Sequence, residues 1–183
     1  MSSIRHLGVA LLAATLAGTS AAPAWAASRQ ELNRDGTRAL KNLYASSDPA
    51  RQLGKRATAV LVFPSILKAG FMFGGQIGEG VLLKQGKPVG YYNSVAGSYG
   101  LQAGIQTFGY ALFFMNNGAL SYLDKSEGFE VGVGPSVVVV DSGFGKSMTS
   151  TTLTQDVYAF IFNQQGLMAG MGIQGSKITK ISK

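Results

Sequence analysis

Val81-Leu82-Leu83-Lys84-Gln85-Gly86-Lys87-Pro88-Val89-Gly90-Tyr91-Tyr92 is the stretch that decides the fold. Two apolar runs flank Gln85-Gly86-Lys87-Pro88, and a glycine at that point marks a hairpin turn between two strands. From Ala69 to Met115 the chain is rich in Gly, Tyr, Phe, Val and Leu, and Gly97, Gly100, Gly104 and Gly109 punctuate what read as two or three further strands. Upstream, Ala59-Val60-Leu61-Val62-Phe63 is a short buried strand ended by Pro64. Downstream, Ala119 to Lys125 is expected to form a short helix. Glu130 to Val133 and Ser136 to Val140 read as strands, and Asp141 to Thr154 as a polar surface loop. Val157 to Phe162, Leu167 to Ile173 and Lys177 to Ile181, with a turn at Gln164-Gln165-Gly166, predict an antiparallel meander. Strands do not alternate with long helices, so a parallel sheet is not expected.

The N-terminal side of this sheet is helical. Ser28 and Glu31 form a capping box, in which each side chain satisfies an orphan backbone donor. Leu32, Ala39, Leu40, Leu43 and Tyr44 recur at helical spacing over residues 28–46, with Gly36 costing the helix about 1 kcal/mol relative to alanine. Asp48-Pro49 reads as the cap and first turn of a second helix reaching about Ala57. The fold class is therefore α+β: N-terminal helices packed on a long, twisted antiparallel β-sheet with glycine-rich hairpins.

Residues 1–26 read as a secretory signal peptide. Arg5 supplies the positive start, Leu7 to Ala17 the apolar middle and Ala24-Trp25-Ala26 the small-x-small cleavage site. The apolar run of about 11 residues falls short of the ~20 that a spanning helix needs. Cleavage after Ala26 leaves 183 − 26 = 157 residues, read as a single domain over 27–183 of an exported, periplasmic protein associated peripherally with an envelope membrane. It also removes the only histidine, His6, and the only tryptophan, Trp25, from a chain without cysteine. Most nucleophilic, redox and metal-binding side-chain chemistry goes with them. No catalytic residue, cofactor or metal site is predicted, and nucleic acid is not expected as a partner outside the cytoplasm.

The net charge is +7, or +6 without Arg5 (15 Lys+Arg against 9 Asp+Glu). Seven of these cations, Arg29, Arg34, Arg38, Lys41, Arg51, Lys55 and Arg56, crowd onto the two helices against three acids, Glu31, Asp35 and Asp48. Lys177, Lys180 and Lys183 end the chain. Such a surface attracts anionic partners such as phospholipid headgroups, and it also serves as a solubilising face over a packed stripe. Other patterns are weaker. Gly170-Met171-Gly172-Ile173-Gln174-Gly175 has dinucleotide-type spacing but no following helix, and Gly145-Lys146-Ser147 lacks the first glycine of a P-loop. Asp124, Glu127 and Glu130 form an acidic cluster that reads as a solvated helix end. The pairs Ser147 with Lys146 and Ser65 with Lys68 have only their proximity in sequence to recommend them.

One resemblance organises the rest. Lys68-Ala69-Gly70-Phe71-Met72-Phe73-Gly74-Gly75-Gln76-Ile77-Gly78-Glu79-Gly80-Val81-Leu82 resembles the signature of the SYLF lipid-binding family. Gly97 to Gly104, Phe113-Phe114-Met115-Asn116, Val131 to Pro135 and Gly166 to Gly170 follow in the family's order, so that the resemblance spans roughly Leu53 to Ile181. It implies binding rather than catalysis, with lipid contact through a basic N-terminal segment and with Lys68 as a motif residue. Eukaryotic members bind phosphoinositides and act at actin patches. With a signal peptide in their place, this chain is expected to bind anionic lipid or a membrane surface, actin being an unlikely partner. Phe71, Phe73, Tyr91 and Tyr92 are candidate interfacial anchors, core burial being expected of most of them. An envelope protein bound through a sheet edge is the alternative partner.

Overall fold

The computed structural model describes residues 27–125, 128–140, 154–166, 173 and 175–183. Two helices come first, α1 (Arg29–Ser46) and α2 (Asp48–Arg56). Ser28 caps α1 with the expected reciprocal capping box, and Ser47 rather than Asp48 caps α2, its Oγ accepting from Ala50 N–H. Asp48 instead sits in the first turn, where its charge complements the helix dipole.

The rest is a six-stranded sheet built on one hairpin of β1 (Ala59–Lys84) and β2 (Lys87–Phe114). Gln85 and Gly86 take the turn with φ of 51° and 77°, the doubly left-handed geometry that matches strand twist. Lys87 and Pro88 already pair with Lys84 and Leu83. The short strand expected to stop at Pro64 and the two or three strands expected after Gly97 are thus single strands of 26 and 28 residues. Bulges stand at two of the expected ends: register shifts fall at Phe63/Ile66, around Pro64, and at Phe71/Phe73, opposite the stretch that holds Gly100.

Strands this long must bend. β1 curls until its two arms touch. A Cβ on Gly78 would lie 2.6 Å from the Ser65 carbonyl oxygen and 3.2 Å from the Ile66 Cα, so only a residue without a side chain fits there. On its other edge β2 pairs with β6 (Lys177–Ile181) over residues 91–95 and with β5 (Val157–Gly166) over residues 106–114. β3 (Phe129–Glu130) lies outside β6, and β4 (Val137–Val139) pairs with β5 in parallel. The sheet is therefore mixed though dominated by antiparallel pairs. The turn expected at Gln164-Gln165-Gly166 is instead the end of β5, whose Gln165 and Gly166 pair with Thr107 and Gln106, and β5 and β6 both border β2. Between β2 and β3 the chain makes α3 (Asn117–Ser121) and a 3-10 turn, Tyr122–Asp124. The expected loop at 141–153 and the strand at 167–172 lie outside the described residues.

Alternation along the strands divides the core in two. Leu61, Phe63, Ile66, Phe108, Tyr110, Leu112 and Phe114 point into the curl, with Phe63 stacked on Tyr110 at 4.6 Å. Val60, Val62, Val81, Leu83, Ala111 and Phe113 point outward and are covered by Leu32, Leu40 and Leu43 of α1 and Leu53 of α2. Each covering leucine contributes about 1.5–3 kcal/mol by leaving water.

Candidate functional site

Seven of the eight candidate site residues lie on the helix pair and are exposed: Arg29, Arg34, Arg38, Lys41, Arg51, Lys55 and Arg56. The apolar stripe of α1 is turned into the core, which leaves its cations on the outer side. Two carboxylates neutralise part of this charge. Arg34 meets Asp35 at 2.9 Å and Arg38 stands 4.0 Å from the same carboxylate, while Arg51 pairs with Asp48. The Arg34 hydrogen bond, aided by Arg38, holds the Asp35 carboxyl below its ordinary range. Arg29 lies 5.8 Å over the Tyr91 ring. Exposed pairs of this kind are each worth little, and the helix pair keeps an excess of four cations, seven against three.

Beyond the edge of the helices the outer face of the hairpin changes character. Leu67, Phe73, Ile77, Val95 and Ile105 are exposed, Phe73 at 68% and Ile105 at 66%. Ile77 stands directly opposite Val95, and Ile105 opposite Ala69, one alternate position from Leu67. Phe73 and Ile77 are alternate residues of one strand. Leu67 and Ile77 also line a groove of 410 Å³ with Leu32 of α1, so the apolar strip and the cationic helix share one side of the sheet.

The inner face at the same level is polar. Lys68, Gln76, Ser94, Gln106 and Ser176 are all buried. Tyr110 Oη donates to Ser94 Oγ at 2.7 Å, and Gln76 Nε2 donates to Ser176 Oγ at 2.8 Å. Gln106 Oε1 is buried without a partner. Burial pushes the Tyr110 hydroxyl far above its ordinary value, so that it remains a donor at any physiological pH. Lys68, directly opposite Gln106, is 6% exposed and belongs to this interior. The structure therefore separates it from the other seven candidates by the thickness of the sheet. Tyr92, a candidate anchor, is likewise buried in the inner core, Tyr91 is half-buried with its hydroxyl donating to Asn33 Oδ1, and the Phe71 side chain lies outside the description.

Here, in the middle of the hairpin, the usual alternation is inverted, apolar residues facing out and polar residues facing in. Sequence reading missed Leu67, Ile77, Val95 and Ile105 as site residues. Their signal is the period-2 alternation Leu67/Lys68 and Gln76/Ile77, which intervening glycines interrupt. Of the weaker motifs, Ser65 is exposed while Lys68 is buried, so the pair does not form one site. Glu127, Lys146, Ser147 and Gly170 to Gly172 lie outside the described residues. Among the described residues no cluster of three or more His, Cys, Asp or Glu could hold a metal ion, and no helix is long and apolar enough to cross a membrane.

Residues 95–183 match the model of the Ysc84 family, described as a Las17-binding protein actin regulator. The match begins within β2 and covers every later element, which is consistent with a member of the SYLF-domain family; the Lys68–Leu82 stretch precedes it. This is a binding family, associated with lipid and with actin regulators. No curated protein matches the chain.

Proposed function

We propose that this SYLF-type chain is a non-enzymatic binder of anionic phospholipid, exported and held peripherally on an envelope membrane surface. The inverted middle of the hairpin carries the reading. An apolar-out, polar-in alternation is what a strand facing lipid requires and what a strand facing water avoids. The cationic helix layer on the same side supplies long-range attraction, roughly 1 kcal/mol for each cation that comes close to an anionic surface, screened by salt. The strip then gains from the apolar area it withdraws from water, roughly 25 cal/mol per Å². Because α1 spends its own stripe on the core, the helix attracts and the sheet inserts. The signal peptide reading places this surface outside the cytoplasm, where phosphoinositides and actin are not the natural targets.

Co-sedimentation with vesicles tests the proposal. The protein is expected to pellet with vesicles containing an anionic phospholipid at low salt and to be recovered poorly with neutral ones. Raised salt should weaken the anionic recovery without abolishing it, since the apolar contribution is unscreened. Equally negligible recovery with both vesicle types at low salt rejects the reading.

A further inference from the structure

Beside the same groove lies a feature that membrane binding does not use. The backbone N of Ala27 donates to Glu79 Oε2 at 3.0 Å. Lys183 Nζ contacts both oxygens of Glu79 at 2.8 Å and donates to the Ala27 carbonyl at 2.7 Å. These groups are sheltered, the Lys183 side chain being 10% and the Glu79 side chain 21% exposed. Glu79 stands directly opposite Asn93 across the hairpin, and both line the groove together with Ala27. Asn93 Oδ1 is buried and accepts nothing.

We infer that Glu79 and Asn93 form a receptor for the α-ammonium that signal-peptide removal creates at Ala27. The inference joins two independent readings. Ala24-Trp25-Ala26 marks the bond after Ala26 as the cleavage site from sequence alone, and the structure puts the nitrogen of that bond on a carboxylate. Hydrolysis of the Ala26–Ala27 amide by a leader peptidase consumes one water, leaving a carboxylate on Ala26 and, at neutral pH, an ammonium on Ala27. The uncut amide has one N–H, already given to Glu79. The ammonium has three and a full charge. One N–H stays on Glu79 as a charge-assisted bond, and a second can serve the orphaned Asn93 Oδ1. Before cleavage Lys183 is the cation that balances Glu79 among the described residues; afterwards a second cation shares the carboxylate. The ligand of this site is a primary ammonium on a small N-terminal residue, here the chain's own, and cleavage strengthens the tie between the start of α1 and the end of the chain.

The exported chain, processed by its host, provides the test. Its intact mass is expected to begin at Ala27, and a mature chain starting elsewhere overturns the inference. Selective acetylation of the α-amine, which titrates well below lysine, restores a neutral amide at residue 27. Acetylation is expected to lower the folding equilibrium constant about tenfold. In Glu79→Gln it should change that constant by less than about twofold. An unchanged stability on acetylating the native sequence, whatever the fate of Glu79→Gln, overturns the inference, as does an equal loss in both. Vesicle binding plays no part in these readouts, so this assignment and the lipid reading fail separately.

Discussion

The β1–β2 hairpin bends back on itself at its middle, so the curled sheet has a covered end, where both arms of the hairpin meet under the helices, and a far end, the middle of both strands. The two share one glycine-laced, apolar sequence style yet solve opposite problems. At the helix-covered end, Phe63, Tyr110 and Leu112 fill the curl while Val62, Val81 and Phe113 are roofed by α1 and α2. At the far end, Lys68, Gln76 and Gln106 are buried in the curl while Phe73, Ile77 and Ile105 are exposed on the outer face. On the proposed function, the covered end serves stability and the far end contact. Hydrophobic content alone distinguishes them poorly; the face on which it falls distinguishes them completely. Substitutions should therefore separate stability from binding according to the end they strike.

The largest effect belongs to the covered end. Phe63 is fully buried, stacked on Tyr110, and its ring lies where a Cβ on Gly80 would be. Phe63→Ala should cost about 3–5 kcal/mol through lost burial and the cavity left behind, read as a fall in the denaturant midpoint. A cost below 1 kcal/mol would mean that the curl is not closed as described and would erase the contrast.

A second substitution probes the roof. Gly36 looks from sequence like a weak point that alanine would improve by about 1 kcal/mol. In the structure a Cβ at that position would stand 2.3 Å from Val81 Cγ1, and Val81 is buried on the sheet beneath. Overpacking of this kind typically costs about 1–3 kcal/mol. Gly36→Ala should therefore destabilise, and a gain in thermal stability would show that α1 rides higher on the sheet.

At the far end the signs reverse. Phe73→Ser with Ile105→Ser removes two exposed apolar side chains and should leave stability within about 0.5 kcal/mol. The same double change should cut recovery on anionic vesicles about tenfold, the weight of roughly 50–60 Å² of apolar area at 25 cal/mol per Å². Undiminished vesicle binding would reduce the contribution of this end to nothing and leave the helix cations as the whole attraction.

What was legible in the sequence follows the same division. The capping box, the stripe of α1 and the hairpin turn depend on residues within a few positions of one another; the box and the stripe formed as read, and the turn formed at Gln85-Gly86, two residues shorter than the expected Gln85 to Pro88. Pro64 and the later glycines were read as punctuation because local chemistry cannot say whether such a residue ends a strand or bends it. That outcome is fixed by β2, which pairs with β1 along nearly its whole length across each bulge. The cationic helix face was visible as composition. The position of Lys68 was not: its burial depends on the curl that sets Gln76, Ser94 and Gln106 at its level. The parallel β4–β5 pair is equally non-local, formed by two short segments on either side of a long connection.

The smallest expected effect concerns what fastens the covered end to β5. Asp156 accepts from Asn116 Nδ2 at 2.9 Å and from both the backbone N and the Oγ of Ser136 at 3.0 Å. Asn116 also caps α3, so one carboxylate ties the start of β5 to a helix cap and to the residue before β4. The hydrogen bond from Asn116, followed by those from Ser136, holds the carboxyl below its ordinary value of 3.8. Folding thus favours the ionised form, and its contribution is complete above the unfolded carboxyl's titration near pH 4. As the pH falls through that range toward the lower folded value, the unfolded chain takes up a proton that the folded one resists, and the contribution is lost. Asp156→Asn should consequently shallow the acid limb of the stability curve below about pH 4 while leaving the neutral plateau only slightly lower. Denaturant midpoints at pH 3 and pH 7 for both proteins read this difference. An acid limb of unchanged slope would mean that the carboxylate titrates as freely in the fold as outside it, and that β4 and β5 are held by their backbone pairing alone.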